Sequence, residues 1–282
     1  MNNRRNSSTK KIRNNIIKYV LLIAYTAICI LPIYFALMAS FKTNTEIFSA
    51  PFALPKSFNF SNYTNAWREA KIGKYFLNSI ILTGSVVVIV GFLGSMASYI
   101  LARFEFKWKK GMYLIFIMGM MIPLQSTMIP LAFNIGKFGL KDNFIALILV
   151  SSAYSISMTV FILTGFMKSI PDALEESAII DGCNVFQVFT KIIIPISMPA
   201  VATASIFNFL NTWNNLLFPL LFISDNDKMP ISYGLLAFRG EKVGDFGGLM
   251  AAIITTIIPP LLAYVILQEK VEKGLTAGAV KG

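Results

Sequence analysis

The sequence contains no histidine, and only 14% of its residues are charged. A soluble domain carries roughly 25%. With 55% hydrophobic residues, the 282-residue chain belongs to the membrane class before any motif is read. The missing histidine removes the commonest metal ligand and general base. No acidic cluster has ligand spacing and no nucleophile sits beside a base, which argues against a catalytic metal and a membrane-embedded enzyme. Cysteine is scarce too. Cys29 lies in an apolar run and Cys183 in a polar loop, so the two are expected at different depths and not in a disulfide. There is no G-x-x-x-x-G-K-[ST] loop to cradle a nucleotide.

What is present is a set of long charge-free windows: 20–41, 75–102, 111–136, 143–167, 192–224 and 246–268. Each reaches the about 20 residues that a helix needs to cross a hydrocarbon core of roughly 30 Å. Runs this long and continuous are helices, not barrel strands. The expected fold class is an all-α membrane protein of six transmembrane helices. The 25 basic and 14 acidic residues all fall outside the windows. Ion-coupled carriers keep ionisable groups inside the bundle, so coupling energy has no evident store here. The net charge of +11 does not form a stripe. Its basic residues punctuate the apolar runs, which favours the lipid bilayer over nucleic acid as a partner.

The lysine and arginine bias sets the orientation. Arg4, Arg5, Lys10, Lys11, Arg13 and Lys18 precede span one, and Arg103, Lys107, Lys109 and Lys110 follow span two. Positive-inside places these, both termini and the loop 171–195 in the cytoplasm of a multi-pass cell-membrane protein. A cleaved signal peptide is the competing reading of span one. Its length exceeds the usual h-region, and no clean cleavage site follows. The expected organisation is a disordered basic arm at 1–15, span one with an external loop at 16–72, a transmembrane core at 73–268 and a tail at 269–282. Pro123, Pro130 and the pair Pro259–Pro260 should kink or break their helices.

The loop from Pro171 to Pro195 reads as two short helices around a tight turn. Ser169 with Asp172 and Asn184 with Gln187 have capping-box spacing, and Gly182 supplies the break. Pro195 closes the unit. Such a loop either docks a soluble partner or lies as an amphipathic segment on the membrane surface. Glu176-Ser177-Ala178, then Gly182, then Ile192-Ile193-Ile194-Pro195 resembles the E-A-A … G … I-x-L-P motif of ABC importer permeases, with matching spacing. Asp181-Gly182, Trp213-Asn214 followed by Pro219, and the ending Gly274-Leu275-Thr276-Ala277-Gly278-Ala279-Val280-Lys281-Gly282 are similar to the maltose-type, MalG-like carbohydrate branch. Ser177, Cys183 and Ile194 depart from the usual alanine, alanine and leucine. The tail is more acidic than expected, with Glu269 and Glu272.

The resemblance implies a type I ABC importer permease fold. In that reading Glu176, Ser177, Ala178, Asp181, Gly182, Ile192 and Pro195 form a cytoplasmic coupling helix and its turn. It implies a second homologous permease, a cytoplasmic ABC ATPase dimer and an extracytoplasmic solute-binding protein as partners. ATP and magnesium would be used by the ATPase, with no cofactor on this chain and no catalytic site of its own. The cargo would be a sugar or oligosaccharide, the alternatives being a non-sugar solute such as glycerol phosphate or, from another class, an ion-coupled carrier.

In span five, Asn208, Asn211 and Asn215 recur at helical spacing beside Trp213 and Asn214, and span three carries Gln125. These amides and the indole could line a sugar path, or could hydrogen-bond neighbouring helices.

Overall fold

A computed structural model describes the backbone at residues 2–241 and 244–279, and side chains at 15–238 and 244–271. No strand occurs among the described residues. The chain divides into two compact units, Met1–Ala70 with Phe238–Thr255 and Lys71–Ala237 with Thr256–Gly282.

The first unit begins with α1 (Asn2–Ala39). Its backbone is helical from Asn2, where the sequence favours a disordered arm; no glycine or proline precedes Pro32, so an apolar helix can propagate outward. In the most apolar stretch of the span Asn15–Ala39 only 6% of the residues are buried, as suits a helix facing lipid or another chain. The segment that follows is ordered by α2 (Asn44–Ser49) and α3 (Ser61–Arg68). Thr43 and Glu46 form a capping box on α2. Lys42 is buried and donates from Nζ to the carbonyls of Ala50 and Pro51 at 2.8 and 3.1 Å. The Phe41 ring packs against Phe58, Phe60 and Tyr63.

The second unit holds the remaining elements, in order: α4 (Ile72–Arg103), α5 (Lys109–Met121), α6 (Leu124–Lys137), α7 (Phe144–Met167), α8 (Ala173–Ile180) and α9 (Val185–Val188). A π turn at Phe189–Ile193 leads into α10 (Ile194–Trp213), followed by α11 (Leu217–Phe222), α12 (Ile231–Glu241) and α13 (Phe246–Ala279). The last two helices are shared between the units.

Among the described residues, five helices are long and apolar enough to cross a membrane, or six if α5 and α6 count as one span. The third window is not one bent helix. It breaks by 101° between α5 and α6. Pro123, at the start of α6, lacks the N–H that would continue the α5 ladder, and Ile122 before it takes an extended conformation. Pro130 lies inside α6, and Pro259 and Pro260 inside α13, without ending either helix. The fifth window also divides, because α10 ends at Trp213.

The centre of this unit is a seam of small and hydroxylated residues between α4, α7 and α10. Ser98 donates to the Val160 carbonyl at 3.4 Å, and Asn208 donates to Thr159 Oγ1 at 2.8 Å. A Cβ on Gly94 would sit 2.6 Å from Thr159 Cγ2, so glycine is what allows the close approach. Gly94→Val should therefore lower stability by about 1–3 kcal/mol through overpacking. An unchanged melting temperature for the purified variant would show that α4 and α7 have room to spare. At the start of α4, the capping residue Lys71 and Lys74 pair with Asp227 at 2.9 and 2.7 Å. Hydrogen bonds from Lys74 and then Lys71 hold that carboxyl down to about 2.

Candidate functional site

The loop 171–195 folds into a helical hairpin whose turn is set by backbone geometry. Gly182 has φ +83°, a left-handed conformation that glycine adopts freely. Its N–H donates to the Ile179 carbonyl at 3.0 Å, and the Cys183 N–H donates to Ala178 at 2.9 Å. This pair of bonds is a Schellman motif, which satisfies the last carbonyls of α8. The accompanying apolar contact is present, since Cys183 packs against the cluster that buries Ala178. The next helix starts as its spacing suggests. Asn184 accepts from the Gln187 N–H, and the Gln187 side chain accepts from the Asn184 N–H, both at 2.9 Å.

The first cap differs from the sequence reading. Ser169 donates to the Phe166 carbonyl at 2.6 Å and closes α7 instead of opening α8. Asp172 occupies the N-cap position without a side-chain cap bond, because its carboxylate is drawn to Arg103 at 2.6 Å. Pro195 differs too. It does not close the unit, because it sits in the first turn of α10, where a missing N–H is tolerated. The π turn just before it carries the chain from α9 into α10 as one span, Val185–Trp213.

The hairpin has an anchored face and a free face. Ala178, Val188, Phe189 and Ile193 are buried with Tyr99, Leu163, Met167 and Ile170 at the ends of α4 and α7. Ile192 packs against the edge of this cluster. Glu176, Ser177, Asp181 and Gly182 are exposed, and so are Ile179 and Ile180, the latter at 85%. An isoleucine this bare beside carboxylates, on a hairpin with a buried inner face, suits a protein partner better than water. The Ser177 hydroxyl turns back to the Ala173 carbonyl at 2.8 Å, which keeps its own helix surface low.

The residue that sequence reasoning missed is Arg103. It was counted only as a topology charge, yet its guanidinium ties the hairpin to the end of α4. It pairs with Asp172 at 2.6 Å, donates to the Ile170 carbonyl at 2.8 Å and pairs through Nε with Glu175. Tyr99, one turn back on α4, donates to the other Glu175 oxygen at 3.1 Å. The Arg103 and Glu175 side chains are only 9% and 14% exposed, so this tie is shielded from solvent. A hint was available in sequence: two adjacent carboxylates, Glu175 and Glu176, open α8, and only one can face a partner.

Asn208, Asn211 and Asn215 do not form one stripe, and the six residues considered for a substrate path have different surroundings. Asn208 is buried and bonded to Thr159, whereas Asn211, Asn214 and Gln125 are exposed. Asn215 lies beyond the end of α10, where its Oδ1 accepts from the Phe218 N–H at 3.0 Å and helps start α11. Trp213 is buried, stacks on Phe209 with ring centres 5.6 Å apart and donates to the Thr256 carbonyl at 3.2 Å. In this conformation its indole serves packing and presents no face to a sugar. A small cavity of about 250 Å³ lies beside the α5–α6 break, bordered by Ile122, Thr127, Tyr154 and Ser157.

Residues 91–277, which include the hairpin and its Arg103 tie, match the family described as binding-protein-dependent transport system inner membrane component. The chain belongs to this family. It is thus a transporter permease subunit with several membrane-spanning helices. The permease is 39% identical over 267 residues to the diacetylchitobiose uptake system permease protein NgcG of Streptomyces coelicolor, covering 94% of this chain and 88% of that one. It is 33% identical to the multiple sugar-binding transport system permease protein MsmG of Streptococcus mutans, covering 94% and 96%. Its fold is similar to a chain in the crystal structure of a bacterial ABC transporter involved in alginate import. The TM-score there is 0.77 at 23% identity, covering 90% of this permease and 95% of that chain.

Proposed function

We propose that this permease forms part of the path by which a sugar or oligosaccharide enters the cell, and that the hairpin at 171–195 receives the energy for it from a separate ATPase dimer. The observation that carries the reading is the two-faced hairpin. Its inner face is buried against the ends of α4 and α7 and tied through Arg103, while Glu176 and Ile180 stand free for a partner. A push on the free face then reaches two spans at once, as rocking of the bundle requires. The hairpin lies at the basic end of the spans, the cytoplasmic end by positive-inside, with the termini on that side too. A second, homologous permease completes the path, and an extracytoplasmic solute-binding protein delivers the cargo, the latter in keeping with the binding-protein dependence in the family description. ATP and magnesium act on the ATPase, not on this chain. The names of the NgcG and MsmG relatives favour a carbohydrate.

The test is uptake into vesicles holding the complete transporter and its binding protein. ATP-driven uptake that survives collapse of the ion gradients is expected; uptake that follows the gradient would identify a coupled carrier instead. Mass spectrometry of the solute on the co-purified binding protein would name the cargo, and a non-carbohydrate there would overturn the sugar assignment.

Within the path, the asparagines should separate. Asn208→Ala is expected to lower stability by about 1–2 kcal/mol through loss of a buried hydrogen bond. Asn211→Ala should leave stability unchanged and alter uptake kinetics. Equal melting temperatures for both variants would contradict the structural role of Asn208, and wild-type kinetics in Asn211→Ala would remove it from the path.

A further inference from the structure

Three apolar spans end at one level of the second unit: α4 at Arg103, α5 at Lys109 and α7 at Met167. A cavity of about 520 Å³ opens there, lined by Glu105, Lys107, Lys109, Lys110, Tyr113 and Lys168, with Leu101 and Phe106 at its floor. Four lysines and one carboxylate leave it strongly positive. Lys109 is committed to Glu105 at 2.6 Å. Among the described residues, Lys107, Lys110 and Lys168 make no ion pair, and Lys168 is held over the Tyr113 ring at 5.3 Å. On the other side of Phe106 begins a groove of about 680 Å³, lined by Trp108, Met112, Ile115 and Met118 and almost wholly apolar. Trp108 is 71% exposed at the head of this groove.

We propose that this corner binds an anionic phospholipid. Its phosphate meets Lys107, Lys110 and Lys168, and an acyl chain lies along Met112, Ile115 and Met118. The span ends place the lysines at headgroup depth, and an exposed tryptophan is at home at that interface. The apolar groove descends from the basic cavity along α5, as a lipid's tail descends from its headgroup. A soluble anion would use only the cavity and leave the groove bare. A protein partner would have to bury three lysines that make no ion pair among the described residues, which is costly without acidic groups placed to meet them.

The experiment uses the complete transporter reconstituted with phosphatidylglycerol or phosphatidylcholine carrying brominated acyl chains. Bromine quenches nearby tryptophan, and the Trp108 signal is isolated by difference from the Trp108→Phe transporter, in which every other tryptophan of the complex is unchanged. Phosphatidylglycerol is expected to occupy the site about tenfold better than phosphatidylcholine. That preference should fall towards unity in the Lys107→Gln, Lys110→Gln, Lys168→Gln variant, and should weaken in the unaltered protein as salt rises. Equal quenching by the two lipids, no quenching by either because a partner subunit covers Trp108, or a preference that survives the triple variant would each overturn the proposal. None of these outcomes depends on the cargo or on ATPase coupling.

Discussion

A permease carrying Gly182→Pro is expected to insert into the membrane at normal levels and to transport nothing. Proline fixes φ near −65°, against the +83° of this residue. It also removes the N–H that donates to the Ile179 carbonyl. Furthermore, it pushes the residue before it towards extended backbone, away from the φ −73° and ψ 5° that Asp181 adopts. The Schellman turn cannot form under any of these conditions, so α8 and α9 lose their mutual angle. The spans do not depend on that turn, since each meets its backbone needs internally. Gly182→Ala is the graded control. Left-handed alanine costs about 1–2 kcal/mol, so the turn forms less often and uptake should fall without vanishing. Full uptake in Gly182→Pro would remove the hairpin from the transport cycle.

The second large effect is expected from Arg103→Gln. The substitution leaves Glu175 largely buried with only the Tyr99 hydroxyl for company. Breaking a shielded pair from one side costs about 3 kcal/mol, which the hairpin can avoid by swinging Glu175 into water. Either response loosens α8 from α4 while the free face survives. Uptake should drop at least tenfold, with ATP hydrolysis by the assembled transporter continuing. Arg103→Lys should recover only part of the loss, because a single ammonium cannot span Asp172, Glu175 and the Ile170 carbonyl as a planar guanidinium does. Parallel loss of uptake and hydrolysis, with normal assembly, would mean that Arg103 supports docking itself and not the link behind it.

What could be read from the sequence was local or spread over long windows. Gly182 and the Asn184–Gln187 box depend on neighbours within a few residues, and both stand where spacing placed them. Most spans follow from windows of more than 20 apolar residues, although the third window is broken between α5 and α6 and the fifth stops as one helix at Trp213. Features decided by distant partners were hidden. Asp172 looked like half of a capping box, but a guanidinium 69 residues earlier claims its carboxylate. Asn215 looked continuous with Asn208 until α10 stopped at Trp213 and the amide turned to start α11. Trp213 looked available to a sugar until Phe209 and the Thr256 carbonyl enclosed it. Pro123 promised a break, but nothing in the local chemistry set its angle at 101°. Sequence placed the break at Pro123 but not the continuity of α6 and α13 through Pro130, Pro259 and Pro260, and tertiary packing determined which polar groups remain unengaged.

The central claim is that the free face of the hairpin meets the ATPase. It is tested most directly by a photo-cross-linking residue in place of Ile180, the barest apolar side chain of the hairpin, in the purified, assembled transporter. The account predicts an adduct with the ATPase subunit, in a yield that changes between nucleotide-free and ATP-bound states. Adducts confined to lipid would contradict it, and would return the hairpin to the membrane surface.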